Sequence, residues 1–101
     1  MKLPTTVAAL CLLAVNSAAQ AADPNLGRNL AATCANCHGT NGKAVQGAGI
    51  DALAGVEKSI TRQKLADYKS GAKPATIMHQ IAKGYTDEQL DLIATYFAAQ
   101  K

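Results

Sequence analysis

Tryptophan is absent from this sequence, and its aromatic side chains are confined to Tyr68, Tyr85, Tyr96 and Phe97. A domain so short of large apolar side chains buries a thin core, and small domains of that kind ordinarily need a staple such as a metal, a disulfide or a cofactor. Runs of basic residues are missing too. Ten Lys and Arg stand against seven Asp and Glu, a formal net charge of +3, too mild and too scattered for a nucleic-acid-binding surface. No segment alternates apolar and polar residues over a useful length, which argues against strands, and no internal repeat is visible. Alanine is abundant, and it suits closely packed helices. The sequence reads as all-α.

The longest apolar run lies near the N-terminus. Lys2 precedes an uncharged, almost wholly apolar stretch from Thr5 to Val15, and small residues follow, with the A-x-A pattern at Ala19-Gln20-Ala21. That order predicts a secretory signal peptide. The run is too short for a bilayer-spanning helix, which needs about 20 residues; an uncleaved anchor is the alternative. Cleavage after Ala21 leaves a signal peptide, residues 1–21, and one small domain, residues 22–101, expected in the periplasm with no stable membrane insertion. Without Lys2, nine basic side chains face seven acidic ones, a net charge of about +2. Cys11 sits inside the apolar run behind Leu10, where a lipoprotein cysteine would need a small residue, and is discarded with it. Of the three cysteines, Cys34 and Cys37 remain.

Four helices are expected in the domain. Asp23 as N-cap and Pro24 at the first helical position open one, with Leu26, Leu30 and Ala31 as its apolar stripe. Gly27 in its middle costs about 1 kcal/mol against alanine, which predicts the close approach of another helix. The segment 39–55 contains Gly39, Gly42, Gly47, Gly49 and Gly55 and has no period. It predicts a long loop, a feature usually functional or wrapped around something in so small a domain. A second helix spans about Glu57 to Ser70 and stops at Gly71. A short one, Ala75 to Lys83, follows Pro74 and stops at Gly84. The last begins at Thr86-Asp87-Glu88-Gln89, a capping box, with Tyr85 and Leu90 at the positions of a hydrophobic staple. Leu90, Ile93, Ala94 and Phe97 then form a core-facing stripe.

The chemistry is concentrated in Cys34-Ala35-Asn36-Cys37-His38. Two thiols three residues apart on one turn can reach the two vinyl groups on one side of a haem, and the next residue places an imidazole under the iron. C-x-x-C-H is the attachment string of c-type haem. The rival readings fit less well. A thioredoxin-like pair needs a βαβ context; zinc needs four tetrahedral ligands, and adjacent Cys37 and His38 are awkward partners on one metal. A plain disulfide leaves His38, the long loop and the thin core unexplained. A covalently held macrocycle supplies the apolar mass that the aromatics do not. For the sixth iron position the candidates are Met78 and His79, well downstream. Met78 is favoured, since a thioether ligand raises the haem potential and suits electron transfer; Met78 as ordinary core filler, His79 as ligand and an open site are the alternatives.

Gly27, the haem string with Gly39, Leu53-Ala54-Gly55, Tyr68-Lys69-Ser70-Gly71, the run Ile77-Met78-His79-Gln80-Ile81-Ala82-Lys83-Gly84-Tyr85 and Ala94-Thr95-Tyr96-Phe97-Ala98 together resemble short bacterial class I cytochromes c. The likeness is greatest to the haem subunit of flavocytochrome c sulfide dehydrogenase. The resemblance implies helices wrapped around one haem c, held covalently by Cys34 and Cys37, with His38 and Met78 as axial ligands. It also implies first and last helices that cross at right angles, with Gly27 near Tyr96. The implied function is single-electron transfer to and from redox partner proteins rather than enzymatic catalysis. The alternative is the electron-accepting subunit of a flavoprotein sulfide dehydrogenase, and a more distant one is a gas-binding or peroxidase haem protein. One departure stands out. Where the family usually has a proline whose carbonyl holds the haem histidine, this sequence has Ile50-Asp51-Ala52. Either the backbone carbonyl there or the Asp51 carboxylate is expected to take that role.

Overall fold

Residues 23–101, described by a computed structural model, contain helices and turns and no strand. The signal peptide expected at residues 1–21, with Cys11, lies outside the described residues. The helices are α1 (Leu26–Ala31), α2 (Ala35–His38), α3 (Lys58–Ser70), α4 (Met78–Lys83) and α5 (Asp87–Ala98), with 3-10 turns at Ala32–Cys34 and Thr40–Gly42.

Helix α1 starts later than Asp23. The Asp23 carboxylate accepts the Asn25 backbone N–H at 2.8 Å and the Asn29 side-chain amide at 3.2 Å, and its carbonyl accepts the Leu26 N–H at 3.2 Å. These bonds close an Asx turn ahead of the helix, so Asn25 becomes the N-cap. Helix α3 matches expectation, with Gly71 at φ 86° as its left-handed C-cap. Helix α4 is shorter than expected. Ile77, at φ −143°, is its N-cap, and the Ile77 carbonyl begins the ladder by accepting from Gln80 and Ile81. Residues 75–77 are therefore left as an approach to the helix.

The capping box of α5 is present in full. The Gln89 N–H donates to Thr86 Oγ1 at 3.1 Å and the Thr86 N–H donates to Gln89 Oε1 at 2.9 Å. Removing the hydroxyl with Thr86→Ala is expected to cost about 1 kcal/mol. A lower midpoint in chemical denaturation would show it, and an unchanged midpoint would mean that the cap contributes nothing.

Leu90, Ile93, Ala94 and Phe97 are the buried residues of α5. Three of them join Ala31 in the core cluster, against which Leu30, Cys34, Leu53 and Leu65 also pack. A Cβ on Gly27 would lie 3.2 Å from the Leu92 carbonyl and 3.7 Å from Tyr96 Cβ. The glycine thus lets α1 approach the backbone of α5, at the place expected. Helix α3 is joined to α5 by the ion pairs Lys58–Asp91 (3.0 Å), Lys69–Asp87 (3.2 Å) and Arg62–Asp87 (3.8 Å). Solvent-exposed pairs of this kind contribute at most about 1 kcal/mol each.

Candidate haem site

Local geometry brings the string 34–38 and the following loop into one unit. Helix α2 is a single turn that ends at Gly39, φ 82°. A Cβ there would sit 2.1 Å from the Lys43 carbonyl oxygen, so no other residue fits the tight return. Asn41 occupies the left-handed region at φ 57°, and its Oδ1 accepts the Tyr96 hydroxyl at 2.5 Å, tying the loop to α5. The Gly42 carbonyl accepts the N–H groups of Leu53 (2.8 Å) and Ala54 (3.1 Å). The long loop is thereby folded back over the Cys-Cys-His turn.

That fold-back places the Asp51 carbonyl 2.7 Å from His38 Nδ1. A carbonyl oxygen can only accept, so Nδ1 carries the proton and Nε2 keeps its lone pair in the neutral ring. Of the two expectations for Asp51, the backbone carbonyl is the one realised; the carboxylate does not bond the imidazole. The position needs no proline because only the oxygen is used. Such a bond orients the ring and raises its basicity as a ligand.

Above this turn lies a cavity of about 620 Å³, within the range of cofactor sites, about 300–1,000 Å³. Cys34, Cys37 and His38 form one wall. Cys34 is half-buried and Cys37 exposed, with no disulfide between them. Burial pushes the Cys34 thiol above its ordinary pKa; its own backbone N–H pulls the other way and Cys37 raises it further. Met78 and Ile81 of α4 line the cavity, whereas His79 does not. His79 Nδ1 is buried without a hydrogen-bond partner, and Ala82 on the same helix is fully buried.

Helix α3 supplies a further wall that was not anticipated from the sequence: Thr61, Lys64, Leu65 and Tyr68. Their spacing, i, i+3, i+4 and i+7, is the signal of a single helix face. Thr61 and Lys64 conceal it, because they break the apolar character that usually marks such a face.

The lining fits a haem. Ile50 and Ile77 line the cavity while 42% and 58% exposed, apolar surface that a flat macrocycle would cover. The donor set is two thiols, an imidazole lone pair and a thioether. Among the described residues no three His, Cys, Asp or Glu side chains converge to hold a metal ion.

Comparison with known proteins bears on the same residues. The chain is 36% identical over 99 residues to a thiosulfate dehydrogenase electron acceptor of Stutzerimonas stutzeri, covering 92% of this chain and 46% of that protein. It is 39% identical over 71 residues to the cytochrome subunit of sulfide dehydrogenase of Chlorobaculum tepidum, covering 70% of this chain and 63% of that protein. Cytochrome c4 of Pseudomonas aeruginosa is 32% identical over 96 residues, covering 94% of this chain and 47% of the relative. The chain thus spans about half to two-thirds of the length of these relatives. A family model described as cytochrome c matches residues 25–101. That match runs from the N-cap of α1 to the last residue, across a fold whose regular elements among the described residues are all helices, and so the chain belongs to the cytochrome c family, class I c-type cytochromes built around a covalently attached haem.

Proposed function

We propose that the domain, residues 22–101, is a one-haem electron carrier of the periplasm, exported by the segment 1–21. One observation carries the assignment of its site. A single cavity brings the Cys34–Cys37–His38 turn together with Met78, with His38 already oriented by the Asp51 carbonyl. In this reading Cys34 and Cys37 hold haem c through thioethers, each formed by adding S–H across a vinyl double bond, with no net oxidation. His38 Nε2 and the Met78 sulfur would hold the iron from the protein side. When bound, the haem supplies a reversible one-electron couple.

The chain's own residues do the rest. Asp51 fixes the His38 ring, and Leu53, Val56, Leu65 and Ile93 contribute the apolar part of the lining. A low-dielectric surround of that kind limits solvent reorganisation as charge changes. With His38 and Met78 both engaged, the iron would have no position left for a substrate, which suits a domain that transfers electrons rather than catalysing bond changes. Its partners are redox proteins. The match to a sulfide dehydrogenase cytochrome subunit supports a sulfide dehydrogenase as one of them, and the resemblance noted in the sequence would make that partner a flavoprotein. Among the described residues no helix is long and apolar enough to cross a membrane.

Ligation by Met78 is tested by optical spectroscopy of the oxidised protein. The weak charge-transfer band of iron–thioether bonding at the red edge of the visible range is expected in the parent. It should vanish in Met78→Ala and persist in His79→Ala. The reverse pattern would assign the sixth position to His79.

A further inference from the structure

On a helix whose other cations are all paired, one lysine faces the cavity. Of the basic side chains of α3, Lys58, Arg62 and Lys69 each meet a carboxylate of α5. Lys64 has no carboxylate partner among the described residues, and it lines the cavity between Thr61 and Tyr68. It is the one Lys or Arg on the lining, in a stripe whose spacing belongs to core residues. It is exposed as well as lining the cavity, and a lysine so placed can lay its stem on apolar surface with its ammonium in water. One turn later Tyr68 lines the same wall, with the Lys73 ammonium 5.8 Å from its ring centroid. The acid on the lining, Asp51, belongs to the other side, where its carbonyl engages His38.

We infer that Lys64, with the Tyr68 hydroxyl beside it, is the carboxylate-binding pole of the cavity and takes a haem propionate. This inference deepens the haem reading above and depends on it. A haem carries its vinyl groups on one half of the ring and its propionates on the other. Once Cys34 and Cys37 hold the vinyl half, the carboxylates must face segments other than α2. The α3 wall is the electrostatically matched one, since Lys64 is the one Lys or Arg on the lining and Asp51, the one acid there, lies beside His38. A cation there also raises the potential, because it disfavours the extra positive charge of the oxidised iron.

The test uses the holoprotein and the variants Lys64→Gln, Lys64→Arg, Tyr68→Phe and Lys58→Gln, with haem content checked by mass. Lys64→Gln is expected to lower the equilibrium constant for reduction about tenfold against a fixed reference couple, about 59 mV for one electron. It should also shift the propionate bending mode in the resonance Raman spectrum. Lys64→Arg should restore both signals, Tyr68→Phe should shift the Raman mode, and Lys58→Gln, a lysine on the same helix paired with Asp91, should leave that mode alone. Unchanged spectra and potential in Lys64→Gln, or an equal response in Lys58→Gln, would overturn the Lys64 assignment while the attached haem upheld the functional reading. A parent chain that binds no haem would overturn both.

Discussion

A chain in which Cys34 and Cys37 are both replaced by alanine is expected to lose all haem colour to acid–acetone, whereas the parent keeps it. Thioether bonds survive acid; the coordination bonds proposed for His38 and Met78 would not, because acid protonates free imidazole and unfolding would separate the two ligands. The parent should weigh one haem more than its polypeptide, and if the signal segment is removed as proposed, that polypeptide starts at Ala22. The two cysteines are not equivalent in the fold. Cys34 is half-buried and packs against the core cluster, while Cys37 is exposed. The single variant Cys34→Ala should therefore lose some stability as well as one thioether, and Cys37→Ala mainly the thioether. Colour extracted from the parent, or retained by the double variant, would refute covalent attachment at these positions.

The second large effect is expected at Gly42. This residue adopts φ 76°, and a Cβ on it would lie 2.8 Å from Phe97 Cδ1, 2.9 Å from Leu53 Cβ and 3.0 Å from the Ala54 nitrogen. The left-handed backbone alone costs an L-residue about 1–2 kcal/mol, and overpacking typically adds about 1–3 kcal/mol. Gly42→Ala should thus remove about 2–5 kcal/mol from a domain whose total stability is of the order of 5–15 kcal/mol. The loss should reach the haem site too, since the Gly42 carbonyl holds Leu53 and Ala54 and through them the Asp51 oxygen on His38. Gly47 is the control. It has φ 85° but nothing within 4 Å of an added Cβ, so Gly47→Ala should cost only the conformational part. Equal losses in the two variants, measured by chemical denaturation, would show that the Phe97 contact is unimportant.

Much of this arrangement was legible in the sequence. The cap and buried stripe of α5 follow from local rules that no tertiary contact contradicts: the hydroxyl and amide at Thr86 and Gln89, then apolar residues at helical spacing. Gly27 was legible as well, because a glycine in a helix interior calls for a close neighbour. Other features depended on long-range partners. The start of α4 is set by Ile77, whose extended φ is fixed where the chain leaves the cavity rim. Which oxygen of Asp51 meets His38 depends on a fold-back held at Gly42, and residue types do not encode it. The cavity wall of α3 was obscured because Thr61 and Lys64 stand where a core stripe would be apolar. Polar residues at core spacing make sense only once the cavity beside them is known.

The packing of α1 on α5 has a temporal consequence. Ala31 comes from the beginning of the domain, and Leu90, Ile93 and Phe97 come from its end, so the core closes one loop that contains nearly the whole chain. Closing such a loop costs entropy that local contacts do not offset. A chain emerging N-terminus first has no core until its last helix has been delivered. Until then Cys34 lacks Leu90, Ile93 and Phe97, most of the cluster it packs against, and its sulfur is less enclosed. The order of the helices along the chain thus delays the packing of Cys34 until the final helix arrives, whereas Cys37 stays exposed in the finished fold.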